Sequence, residues 1–126
     1  LLEQVDLGSF ADVVTASLPY GRKRALEIAT TLAMEPEVML LDEPTQGMGH
    51  EDVDRVTQLI KQVSAGRTIL MVEHNMGVVS KIADTITVLA RGAVLAEGPY
   101  SEVSRNQAVM EAYMGTTEGE LQGAHA

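Results

Sequence analysis

The chain has 126 residues, 45% of them hydrophobic, and its 18 acidic against 9 basic side chains give a formal charge of −9. One domain of ordinary size fits that length, while the acidic balance argues against a nucleic-acid groove, which needs clustered Lys and Arg, and an aromatic content of 3% argues against a base-stacking platform. The absence of cysteine excludes disulfide frameworks, thiolate metal sites and Cys nucleophiles, and no apolar run approaches the roughly 20 residues that span a bilayer.

The opening Leu1-Leu2-Glu3-Gln4 is neither a signal peptide nor an initiator Met. It reads as the interior of a helix, so the natural sequence is expected to continue upstream. Residues 1–17 predict a short helix and loop ending at Ser17-Leu18-Pro19. From Arg22 to Met34, Ala25, Ile28, Ala29 and Leu32 recur at helical spacing, and Pro36 ends that helix. Val38-Met39-Leu40-Leu41 is a short apolar run that predicts a strand buried on both faces. A Gly-containing loop, Thr45 to Gly49, leads to a helix over Glu51–Ser64 with acidic residues in its first turn and Gly66 beyond its end. Thr68–Val72 predicts a second buried strand and Met76–Ala83 a third helix. Thr85–Leu89 and Ala93–Glu97 flank Arg91-Gly92 as a hairpin. Helical stretches at Ser101–Arg105 and Gln107–Met114 follow, capped by Gly115, and the polar tail 116–126 is expected to be disordered.

Alternating helices and strands predict an α/β fold with a mainly parallel sheet flanked by helices, joined by right-handed crossovers. Ligands of such sheets gather beyond the carboxyl ends of the strands. Two charged pairs fall there, Asp42-Glu43 after the first strand and Glu73-His74 after the second. Carboxylates so placed can hold Mg²⁺ or deprotonate an attacking water; they are also what a strand turning into solvent carries. A histidine there can touch a phosphate or lie idle on the surface. The segment Leu18-Pro19-Tyr20-Gly21-Arg22-Lys23-Arg24 opens a helix, whose free N–H groups and three cations would attract phosphate; a solvated basic turn has the same composition. His50 and His125 are given no role.

Taken together, L-P-Y-G-R at 18–22, V-M-L-L-D-E-P at 38–44 and V-E-H at 72–74 resemble the signature loop, the Walker B strand with its following Glu, and the switch histidine of ABC ATPases. The resemblance spans about residues 1–115 and implies the C-terminal half of an ABC-type P-loop NTPase domain, with a C-terminal β-hairpin and helices. The signature helix Y-G-R-K-R-A-L-E-I-A, the hairpin L-A-R-G-A-V-L-A-E-G and the ending A-Y-M-G are similar to ATP-binding subunits of branched-chain or hydrophobic amino-acid importers; urea importers share much of the pattern. On that resemblance Asp42 would help position Mg²⁺, Glu43 would be the general base, and His74 would contact the γ-phosphate of ATP. The loop Gln46, Gly47, Met48 and Gly49 would mediate contact between subunits. Leu18, Pro19, Tyr20, Gly21 and Arg22 would close over ATP held by a partner ATPase subunit, identical or paralogous.

The chain departs from the family pattern at Pro19, which stands for a Ser, at Arg22, which stands for a Gln and could contact phosphate through charge-assisted bonds, and at Gly49, where many relatives have Asp or Asn. It contains no G-x-x-x-x-G-K-[ST], the loop that cradles the β- and γ-phosphates. The 126 residues alone are therefore expected to bind Mg·ATP weakly or not at all. The resemblance implies a peripheral subunit on the cytoplasmic face of the membrane, bound to permease subunits and not to nucleic acid. A non-transport ABC ATPase acting on nucleic acid is the alternative, and neither a coiled-coil insertion nor a basic surface favours it.

Overall fold

The computed structural model describes residues 1–113; the expected cap at Gly115 and the expected tail over 116–126 lie outside them. In place of the helix expected near the start, residues 1–17 make three 3-10 turns, Glu3–Val5, Gly8–Phe10 and Thr15–Ser17. The first is closed by Asp6 at φ 56°, whose N–H donates to the Glu3 carbonyl. A left-handed residue there stops a 3.6-residue period from propagating. Val5 and Leu7 are still buried, one on each side of the turn.

Helix α1 spans Tyr20–Leu32, two residues earlier than expected. Pro19 sits at its N-cap with extended ψ, and its carbonyl accepts the Lys23 N–H at 3.0 Å. Strand β1 follows at Val38–Asp42, α2 at His50–Val63, β2 at Thr68–Val72 and α3 at Met76–Ile82. β1 and β2 pair in parallel from Val38↔Thr68 to Asp42↔Val72, so both strands end on the same rim.

Alternation of side chains along a strand divides the faces of this two-stranded sheet. Met39 is fully buried, and Leu41, Ile69 and Met71 pack with it against Ala25, Ile28, Ala29 and Leu32 of α1 and Val56, Leu59, Ile60 and Val63 of α2. On the opposite face Val38, Leu40, Leu70 and Val72 are 57–73% exposed. The strands expected to be buried on both faces are thus buried on one. Their apolar runs are those of a two-sided strand, and only one layer of helices covers them.

Gly21 and α2 set how closely the helices pack. A Cβ on Gly21 would lie 2.8 Å from Asp52 Cγ and Oδ1 and 3.2 Å from Asp52 Cβ. Gly21→Ala should therefore lower stability by about 1–3 kcal/mol, read as a lower urea midpoint. Combining it with Asp52→Ala, which removes the Cγ and Oδ1 clash, should restore most of the loss.

The described chain divides into two compact units, Leu1–Ile82 and a second beginning at Ala83. Each has its own buried cluster, and the two strand pairs are separate two-stranded sheets. In the second unit β3 (Ile86–Ala90) and β4 (Ala93–Gly98) pair antiparallel, with a register shift between Val88 and Leu89. The turn residues Arg91 and Gly92 both have positive φ, 50° and 78°, as a two-residue type I′ turn requires. α4 (Tyr100–Val103) and the helical residues 107–113 complete it. Val88, Val103 and Val109 form its core.

Candidate active site

The two strand ends deliver their charged pairs to one place. The Glu43 N–H donates to the Val72 carbonyl at 2.8 Å, extending the β1–β2 ladder one residue past Asp42. Glu43 itself takes φ 44°, in the left-handed region that a residue with a side chain enters at a cost of about 1–2 kcal/mol. Its surroundings hold it there. Pro44 behind it is fully buried and disfavours the right-handed helical region for its predecessor, and the Gln46 N–H closes a turn onto the Glu43 carbonyl at 3.1 Å. Glu35, before Pro36, has the same feature at φ 49°. At Glu43 the backbone reversal turns the carboxylate toward β2, where its Oε1 lies 3.2 Å from His74 Nδ1. The His74 side chain is 63% exposed and that of Glu43 34%. The pair is reachable from solvent yet held by its strands.

Asp42, the last residue of β1, is exposed. Among the described residues no group of three or more His, Asp or Glu side chains converges as a protein-only metal cage. A single accessible carboxylate fits Mg²⁺, which takes one or two carboxylates and completes its octahedron with water and substrate phosphates.

The loop after β1 divides its residues. Thr45 is buried and Met48 packs against the core, while Gln46, Gly47 and Gly49 face solvent. Gly47 has φ 76°, a conformation open to glycine at no steric cost. Gly49 caps α2.

Segment 18–22 makes no described hydrogen bond or ion pair with Glu43 or His74, as a segment directed elsewhere would. Only Pro19 and Tyr20 of it are exposed; Leu18 and Gly21 are buried. Arg22, which the resemblance implies would lie near a partner's ATP, is held within this chain by Asp6. Its Nη1 donates to the Asp6 carbonyl at 2.6 Å and to Asp6 Oδ2 at 2.9 Å, and its guanidinium carbon lies 4.9 Å from the Phe10 ring centroid. The cation holds the left-handed Asp6 and the second 3-10 turn against α1. The close approach that Gly21 permits is likewise to Asp52.

Two residues with no role predicted from the sequence, Glu73 and Thr45, are joined at the rim. Glu73 accepts the Thr45 hydroxyl at 2.7 Å and the N–H groups of His74 and Asn75 at 3.1 and 3.3 Å. The adjacency of Glu73 to His74 was the available signal; the Thr45 partner, 28 residues distant, had none.

Comparison with known proteins finds ABC transporter matches over most of the chain. A family model described as ABC transporter matches residues 1–46, and one described as branched-chain amino acid ATP-binding cassette transporter matches residues 93–119. The high-affinity branched-chain amino acid transport ATP-binding protein BraF of Pseudomonas aeruginosa is 37% identical over 116 residues, covering 90% of this chain and 46% of BraF. LivG of Escherichia coli, with the same descriptive name, is 35% identical with the same coverage. The arginine transport ATP-binding protein ArgV of Corynebacterium glutamicum is 39% identical over 84% of this chain and 42% of its own length. The chain thus spans about half the length of the curated relatives it matches. Among solved structures, the ADP conformation of MJ1267, an ATP-binding cassette of an ABC transporter, superposes with a TM-score of 0.82 at 27% identity over 90% of this chain and 47% of that one. CbiO1 of Clostridium perfringens, part of the ABC transporter complex cbiONQ, gives 0.74 at 26% identity over 96% and 50%.

Proposed function

We propose that this chain, which matches ABC transporter family models over residues 1–46 and 93–119 and is 37% identical to BraF over 116 residues, carries the C-terminal part of an ABC cassette and belongs to the ATP-hydrolysing subunit of an importer for branched-chain or other hydrophobic amino acids. The observation that carries the reading is the 3.2 Å approach of His74 to Glu43 at the shared rim of two parallel strands.

At that rim Glu43 acts as general base. Its carboxylate accepts the proton of a water whose oxygen attacks the γ-phosphorus of ATP, and the bond from that phosphorus to the β–γ bridging oxygen breaks to leave ADP and phosphate. His74 orients the Glu43 carboxylate and reaches the γ-phosphate. Asp42 would hold Mg²⁺, directly or through water, and the ion when bound would offset the charge on the phosphates. These 126 residues contain no G-x-x-x-x-G-K-[ST] loop, so they do not supply that cradle for the β- and γ-phosphates. Pro19 and Tyr20 of segment 18–22, with the exposed Gln46, Gly47 and Gly49, face a second ATPase subunit. Leu18, Gly21 and Arg22 support that surface from within, and Met48 anchors its loop.

The subunit works at the cytoplasmic face of the membrane beside permease subunits. None of the described helices is long and apolar enough to cross a bilayer. The amino-acid reading rests on the relatives' names and on the match over residues 93–119. Its test is ATP-driven uptake of radiolabelled leucine, isoleucine or valine into proteoliposomes holding the complete transporter. Uptake of these solutes is expected. Uptake of urea alone would replace the solute class, and nucleotide-independent uptake would overturn the ATPase role.

A further inference from the structure

Resting on the hydrolytic reading above, we propose that Glu73 is a positioning residue. Its carboxylate fastens the loop after β1 to the end of β2 and thereby sets His74 against Glu43.

The side chain is used at both oxygens. Oε2 accepts the Thr45 hydroxyl at 2.7 Å. Thr45 is only 4% exposed, so its hydroxyl has lost water as a partner and depends on that acceptor. Oε1 accepts the backbone N–H groups of His74 at 3.1 Å and Asn75 at 3.3 Å. These amides leave the β2 ladder just before α3 begins at Met76, where Asn75 in turn caps the helix through its Oδ1 to the Val78 N–H at 3.2 Å. The chain between strand and helix is therefore fixed residue by residue, and His74 lies within it. Its imidazole is 63% exposed and is not packed into place. The orientation of the ring rests on its backbone and on its single described side-chain partner, Glu43.

The clamp also acts on Glu43 from the other side. Thr45 lies two residues beyond Glu43, inside the turn that the Gln46 N–H closes onto the Glu43 carbonyl. One carboxylate thus holds both halves of the Glu43–His74 pair to a common frame. A group that orients the ligands of a reacting centre without touching the reactants commonly supports an order of magnitude or more of their activity.

The test is steady-state ATPase kinetics of the full-length subunit carrying Glu73→Ala, Glu73→Gln, Thr45→Val and the Glu73→Ala/Thr45→Val pair, with Glu43→Gln as reference. Glu73→Ala should lower kcat on the order of 10-fold while KM for ATP stays within about 2-fold. Thr45→Val should lower kcat by about 5-fold, the worth of one hydrogen bond. The pair should be no slower than Glu73→Ala alone, because both changes break one linkage. Glu73→Gln, whose Oε1 can still accept the two amides, should recover most of the loss. Should Glu73→Ala fail to fold, the roughly 5-fold loss expected of Thr45→Val decides alone. Values of kcat within about 2-fold of wild type for Glu73→Ala and Thr45→Val, or losses that multiply in the pair, would overturn the clamp while a collapse in Glu43→Gln leaves the hydrolytic reading standing. Full turnover in Glu43→Gln would overturn that reading itself.

Discussion

Glu43→Gln in the full-length subunit is expected to lower kcat by about 10²–10⁴-fold, the range that a positioned general base contributes, with ATP affinity unchanged. The amide is nearly isosteric with the carboxylate. Its Oε1 can still accept from His74 Nδ1, as Glu43 does at 3.2 Å, and the backbone bonds that place the residue, to Val72 and from Gln46, do not involve the side chain. Basicity is what the substitution removes. Binding should survive because, on the proposed reading, Glu43 would meet ATP only through the attacking water. The check is single-turnover hydrolysis alongside calorimetric titration with Mg·ATP. Turnover near wild type would remove Glu43 from the role of base, and a large loss of affinity would show it to be a ligand of the nucleotide instead. Glu43→Ala would be a poorer test, since Ala removes the His74 partner and the base together.

The parts of this site legible in the sequence were those written in neighbouring residues. Four apolar residues followed by Asp42-Glu43, and five strand residues followed by Glu73-His74, place two charged pairs at strand ends whatever the rest of the fold does. The parallel register then brings them together. Arg91-Gly92 fixed the hairpin for the same reason, since two consecutive positive φ values are a local demand. What could not be read from the sequence depended on distance. An unbroken apolar run looks the same whether one face or both are covered, so the exposure of Leu40 and Leu70 could not be read from it. Arg22 meets Asp6 16 residues away, and Gly21 meets Asp52 on another helix. Each has an intramolecular neighbour that no spacing rule identifies. Glu73 and Thr45 are the same kind of case. The first was visible as half of a charged pair and the second as an ordinary loop threonine, and their relation appears only once β1 and β2 lie side by side.

His74→Ala should lower kcat by about 10²-fold, the lower end of what proton-handling groups supply, and the reason lies in the hydrogen-bonding capacity of the ring. A neutral imidazole with its proton on Nδ1 can donate to Glu43 Oε1 but then offers Nε2 only as an acceptor. Donating to Glu43 and to a phosphate oxygen at once uses both ring protons, and therefore the imidazolium. On the proposed reading the histidine would reach its full complement of partners when a γ-phosphate is present and lose one when phosphate leaves, which would link the state of the nucleotide to the carboxylate of Glu43 and, through the turn at Glu43–Gln46, to the loop reaching Gly49. His74→Gln, with an amide that can donate to one oxygen at a time, should fall between wild type and His74→Ala. The double variant Glu43→Gln/His74→Ala separates this arrangement from an independent contribution. If His74 works with Glu43, the double variant should be no slower than Glu43→Gln alone, as members of one catalytic unit behave. Multiplying losses would mean that His74 acts on the phosphate without Glu43, and the 3.2 Å contact would then have no part in turnover.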